Sequence, residues 1–193
     1  LYCFPLGVAF ISYFRGKSKI VFVQWLSMVV LMLGLYLMLS SGDQVLNLYG
    51  LFISFLGLLF FIAFIVTASD LSEQIGATTF NLYVSILGII FLTVGFILPL
   101  GFEMDLPLTK TGIFAIFANG LFYISSWVLF FKGASIIGAT RSSMLACIEP
   151  LFAALLAIIL LKQILSVTEW IGFFIVLTAI YTFEKNSKKA EAR

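Results

Sequence analysis

The chain has 193 residues, 62% of them hydrophobic and 10% charged, with a mean hydropathy of +1.17 and a net charge of +2. A soluble domain carries about 25% charged residues, so the composition excludes one and indicates an integral membrane protein. There is no histidine, and Cys3 and Cys147 lie in separate apolar runs, which leaves no metal-ligand set, no histidine proton relay and no disulfide framework.

Residues 1–14 form a short apolar span. The chain enters it without a methionine, a charged start or a cleavage site, so it reads as the C-terminal part of a longer protein rather than as a signal peptide. A basic loop at 15–19 leads to a second span, 20–40, and a polar turn at 41–44. The third span is 46–67, followed by a polar loop at 68–79. The fourth, 80–98, is closed by Pro99, and the loop 100–111 carries Pro107. The fifth span is 112–131, the loop 132–140 leads to the sixth, 141–161, and the seventh is 167–183 before a charged tail. Each stretch except the first approaches the ~20 residues that a membrane helix needs, and no barrel-type alternation of polar and apolar residues occurs. The expected fold class is an all-α membrane protein with seven transmembrane helices.

The sixth span carries the least expected residue. Arg141 and Lys162 bracket it, and Glu149 is the one charge between them. Eight residues past Arg141 puts this glutamate roughly 12 Å into a hydrocarbon layer of roughly 30 Å. A carboxylate at that depth costs about 2.5 kcal/mol or more on insertion scales, so such residues face protein or a wet cavity and mark functional sites. Pro150 follows, removes the hydrogen bond to the carbonyl of Ala146 and kinks the helix. The same residue also has a structural reading, as a hydrogen-bonding group that locks two helices.

Loop charges set the expected orientation. With the tail in the cytoplasm, nine lysines and arginines fall inside, and only Lys110 and Lys162 fall outside. Lys185, Lys188 and Lys189 then hold the tail at the inner headgroups, and a nucleic-acid partner is not expected.

An ungapped internal repeat lies under this pattern. A shift of 145 residues puts Pro5 on Pro150, Ala9 on Ala154, Lys17 on Lys162, Trp25 on Trp170 and Tyr36 on Tyr181. The two copies run in opposite directions through the membrane, as in secondary transporters with a site between inverted halves. Glu149 has no acidic counterpart, because Phe4 stands at the matching position.

From 133 to 181 the sequence reads GASIIGATRSSMLACIEPLFAALLAIILLKQILSVTEWIGFFIVLTAIY. Gly133-Ala134, Gly138-Ala139, Glu149-Pro150 and Gly172 resemble the drug/metabolite transporter superfamily, and within it the EamA-type permeases. The family pattern has an acid where Lys162 or Gln163 stands here. The resemblance implies a ten-helix fold of two inverted five-helix repeats with both ends cytoplasmic. Residues 1–41 would be the last two helices of the first repeat, 46–184 the complete second repeat and 185–193 the cytoplasmic tail. Three helices would precede residue 1. It further implies a multi-pass protein of the plasma (inner) membrane that carries a small metabolite, amino acid or drug-like solute by alternating access.

The substrate-binding candidates start with Glu149. Asn119, Tyr123 and Ser126 lie at i, i+4 and i+7 on one helical face of the fifth span, with Trp127 beside them. Such a stripe orients a polar solute by amide and hydroxyl groups and packs on it with aromatic rings; interhelical hydrogen bonding explains it as well. Arg141 pairs with a substrate carboxylate or anchors the helix at the interface, and Ser142 follows it. No cofactor is expected: no glycine-rich phosphate loop ends in Lys-Ser or Lys-Thr. The expected partners are the lipid bilayer and a small-molecule substrate, with proton coupling and a homodimer both open. The rival classes are a membrane enzyme of lipid or cell-wall metabolism, for which no nucleophile–base pair is visible, and a non-transporting membrane scaffold.

Overall fold

The computed structural model describes residues 2–39, 47–98 and 109–191. Among them the backbone forms α-helices alone: α1 (Phe4–Phe14), α2 (Phe22–Leu39), α3 (Leu48–Ile75), α4 (Ala77–Ile97), α5 (Lys110–Ile137), α6 (Ala139–Ala146), α7 (Glu149–Leu161) and α8 (Val167–Glu191). The turn at 41–44, the stop at Pro99 and the loop with Pro107 lie outside the described residues.

Six stretches are long and apolar enough to cross a membrane, against the seven expected: α2, α3, α4, α5, α8, and α6 with α7 as one span, Ala139–Leu161. The difference is α1. Its 11 residues give about 16 Å of helix at 1.5 Å per residue, half of a hydrocarbon layer. The α6–α7 span is broken where Pro150 dictates. Pro150 offers no N–H to Ala146, α6 ends at that residue, and the N–H groups of Cys147 and Ile148 instead donate to Met144 and Leu145 at 3.3 and 3.0 Å.

Two expected loops are helical. Residues 68–75 continue α3 and 132–137 continue α5. Their polar side chains mark where the lipid contact ends, but neither stretch holds a proline, so the backbone hydrogen bonds go on. Each helix stops only at a glycine, Gly76 at φ +86° and Gly138 at φ +83°, a conformation that an L side chain resists. Both glycines sit in the same four residues, Ile-Gly-Ala-Thr, at 75–78 and 137–140. The charged tail is likewise helical as far as Glu191.

The chain divides into two compact units. The first comprises residues 1–67 and 137–193, and its core is the pair α2 and α8. α2 buries Gln24, Ser27, Met28, Leu31, Gly34, Leu35 and Met38, a stripe at helical spacing. α8 answers with Phe173, Val176, Ala179, Ile180 and Phe183. The helices are antiparallel. At one end Gln24 Nε2 donates to Ser187 Oγ at 2.7 Å; at the other, Gly172 lies against Gly34 and Met38. The crossing is backbone on backbone, because a Cβ on Gly172 would lie 2.6 Å from the carbonyl oxygen of Gly34. Small residues of this kind let membrane helices approach closely. The 145-residue register equates Ser27 with Gly172 and Gly34 with Ala179, and all four are buried in this interface. The two segments that this register aligns therefore pack face to face in opposite directions.

α1 packs on α6 and turns Val8, Ala9 and Ser12 inward. Its Phe4 ring meets Phe61 of α3 edge-on at 5.2 Å. The start of α8 is tied by a capping box, with Ser166 N–H donating to Glu169 Oε2 at 2.6 Å and Glu169 N–H to Ser166 Oγ at 3.3 Å. One end of this unit collects the 15–19 loop, the start of α2, the start of α6 and the end of α8, through the Gln24–Ser187 bond and the Arg141–Glu184 ion pair. Arg15, Lys17, Lys19, Arg141, Lys185 and Lys188 all lie there, whereas Lys162 lies at the end of α7 with Gly172 and Gly34 close to the same side.

The second unit, residues 68–136, holds polar and aromatic contacts between α4 and α5. Buried Asn81 donates from Nδ2 to the carbonyl of Ile124 at 3.2 Å. Phe80 meets Phe131 edge-on at 5.1 Å, and Phe131 stacks on Trp127 at 5.4 Å. The apolar window of α5 is 0% covered by protein, so its phenylalanines and leucines need lipid or further protein around them.

Candidate functional site

The seven candidate residues fall into two groups. Arg141, Ser142 and Glu149 lie on α6 and α7 in the first unit; Asn119, Tyr123, Ser126 and Trp127 lie on α5 in the second.

Glu149 is the first residue of α7 and sits near the middle of the 23-residue span. Its side chain is exposed, and it forms no hydrogen bond or ion pair among the described residues. The helix break explains the placement. A new helix starts at Glu149, so the carboxylate lies at the positive dipole end of α7 inside the span rather than at its edge.

Arg141 has a partner that sequence reasoning missed. Its Nε donates to Glu184 Oε1 at 3.1 Å and a terminal nitrogen donates to Oε2 at 2.7 Å, a fork-to-fork ion pair with both side chains largely buried. The last apolar run ends at Phe183, so hydropathy gives no sign that Glu184 packs inward; the helical continuation of α8 turns it back onto α6. Ser142 is buried, 6% exposed, and its hydroxyl has no hydrogen-bond partner among the described residues; the same holds for Thr140 and Ser143 on the same helix.

On α5, Asn119, Tyr123 and Ser126 are all exposed. Ser126 Oγ donates back to the carbonyl of Tyr123 at 2.8 Å, so its hydrogen is committed to its own helix. Trp127 is half-buried, with its ring 6.2 Å from that of Tyr123. Asn81, absent from the sequence-derived set, holds the Ile124 carbonyl directly beside this stripe. A lone asparagine in an apolar span is its only sequence signal.

Comparison with known proteins gives the following. A Salmonella typhimurium (strain LT2) protein called uncharacterized inner membrane transporter YicL is 34% identical over 61 residues. That stretch is 32% of this chain and spans only 20% of the relative's length. No solved structure matches. The EamA-like transporter family matches residues 48–183, from the start of α3 to the last apolar turn of α8. That range is most of the chain, and it contains the Glu149-Pro150 break and the Gly172 contact; the chain belongs to the EamA-like transporter family.

Proposed function

We propose that the protein works as a secondary transporter, moving a small metabolite, amino acid or drug-like solute by alternating access, with Glu149 as the charged group of the transport site. One observation carries this reading: in a chain of this family, a mid-span helix is broken so that an exposed carboxylate starts the second half. Broken helices whose ends face a solute are how membrane carriers build binding sites away from water. Asn119, Tyr123, Ser126 and Trp127 are the solute-contacting groups of α5 in this proposal, with amide, hydroxyl and aromatic chemistry. Arg141 and Ser142 flank the transport site, and a proton is the coupling ion that a carboxylate accommodates most simply.

The antiparallel packing of the two repeat copies, α2 on α8, supports assigning residues 1–41 to the end of a first repeat and 46–184 to a second. The gathering of six basic residues at one end of the first unit supports a cytoplasmic C-terminus. Labels at Asp105 and Ala190 test that assignment: the first is expected to react only from outside the cell and the second only from inside. Labelling of both from one side contradicts it.

The function is tested by solute flux into proteoliposomes. Wild-type protein is expected to show saturable, gradient-dependent uptake, and Glu149→Gln, which keeps the shape but removes the charge, is expected to lower it at least about tenfold, equivalent to about 1.4 kcal/mol. Wild-type flux in the Gln variant contradicts the assignment of Glu149.

A further inference from the structure

α6 combines three independent features. It is bounded by two breaks. Gly138 enters it at φ +83° and ψ +153°, with nothing within 4 Å of a Cβ placed there, and the chain leaves it through the Cys147–Ile148 break ahead of Pro150. The eight residues between these points form a rigid rod between two points where the backbone bends readily.

Its buried face is polar and unsatisfied. Ser27, Thr178 and Thr182 of α2 and α8 donate to the carbonyl one turn back, to Val23, Phe174 and Thr178, each at 2.8 Å. Thr140, Ser142 and Ser143 do not, although they are 6%, 6% and 0% exposed. Buried hydroxyls without partners disfavour the packed position relative to one in which water reaches them. What favours the packed position is the third feature, the bidentate ion pair from Arg141 to Glu184 on α8.

We propose that α6 is a movable segment, docked on α1 and α8 in this conformation, latched there by the Arg141–Glu184 pair and free to swing out between Gly138 and Cys147 when the pair opens. The motion stands on these contacts alone; its role as a gate at the basic end of the carrier rests on the transporter reading above. Undocking gives water to the three hydroxyls and uncovers Cys147, which is 0% exposed in the docked state and has its Sγ 3.8 Å from the carbonyl of Ser143. The native cysteine is therefore a reporter of the segment's position.

The test is the rate at which N-ethylmaleimide alkylates Cys147 in membrane-embedded full chain, with the exposed Cys3 replaced by serine. Slow labelling is expected in the parent. Arg141→Ala and Glu184→Gln are each expected to raise the rate at least about tenfold by shifting the population toward the undocked state. The exchanged pair, Arg141→Glu with Glu184→Arg, is expected to return the rate to within about threefold of the parent. Gln24→Ala, which cuts a bond between α2 and α8 but none to α6, is expected to leave it unchanged. Unchanged rates in both single variants overturn the latch. So does an exchanged pair as reactive as the singles, or a Gln24→Ala rate that rises equally, because the effect is then general loosening of the bundle. If Cys147 responds as expected but solute flux does not change in the single variants, the motion stands and the gating role falls.

Discussion

Glu149→Leu is expected to make the protein more stable and to abolish transport. The side chain is exposed at mid-span and makes no hydrogen bond or ion pair among the described residues, so leucine removes no such interaction. It removes a carboxylate whose presence at that depth costs about 2.5 kcal/mol or more on insertion scales. The expected outcome is higher insertion efficiency or a higher thermal midpoint, with flux lowered to background. A residue that opposes stability and is needed for activity has the signature of a functional site. A structural hydrogen-bonding group predicts the reverse, with leucine destabilising, so thermal melting beside flux on one preparation separates the two. The sequence alone suggests that Glu149→Ala would leave a partner unpaired; the exposed, unpartnered carboxylate removes that expectation.

The second large effect belongs to the crossing of α2 and α8. A Cβ on Gly172 would lie 2.6 Å from the Gly34 carbonyl oxygen, 2.7 Å from the Met38 nitrogen and 3.0 Å from its Cβ. The first two of these atoms are backbone and cannot rotate away, so the helices must separate along their length and lose the buried stripe from Gln24 to Met38. Gly172→Leu is expected to destabilise by more than the ~1–3 kcal/mol typical of core overpacking, read as loss of folded, monodisperse protein after detergent extraction. Gly57, with nothing within 4 Å of an added Cβ, is the control: Gly57→Ala is expected to be tolerated. Equal yields of the Gly172→Leu and Gly57→Ala proteins contradict the backbone contact.

The class of fold was legible from the sequence because hydropathy reports lipid exposure directly, and the starts of the apolar runs from 20 onward match those of the helices to within three residues. Helix ends were less legible. The polar stretches 68–75 and 132–137 look like loops to a hydropathy reading, yet a polar helix emerging from lipid keeps its backbone bonded until a residue such as Gly76 or Gly138 ends it. The Pro150 break was legible because proline lacks an N–H whatever its surroundings. The 145-residue register rests on Trp25, Trp170 and the two prolines, but the meeting of Gly34 with Gly172 was not legible, because only packing shows which small residues touch. Of the candidate site, the mid-span position of Glu149 could be read by counting residues. The pairing of Arg141 with Glu184 could not, since it joins residues 43 apart and depends on α8 continuing past its apolar run.

The most direct test of the central claim is the accessibility of position 149 from each side of the membrane. Glu149→Cys in a chain with Cys3 and Cys147 replaced by serine would be treated with a membrane-impermeant thiol reagent in right-side-out and in inside-out vesicles. An alternating-access site near Glu149 predicts labelling from both sides, slowed by a transported solute. No labelling from either side, with the denatured protein labelling fully, would place residue 149 away from any aqueous path and contradict the account.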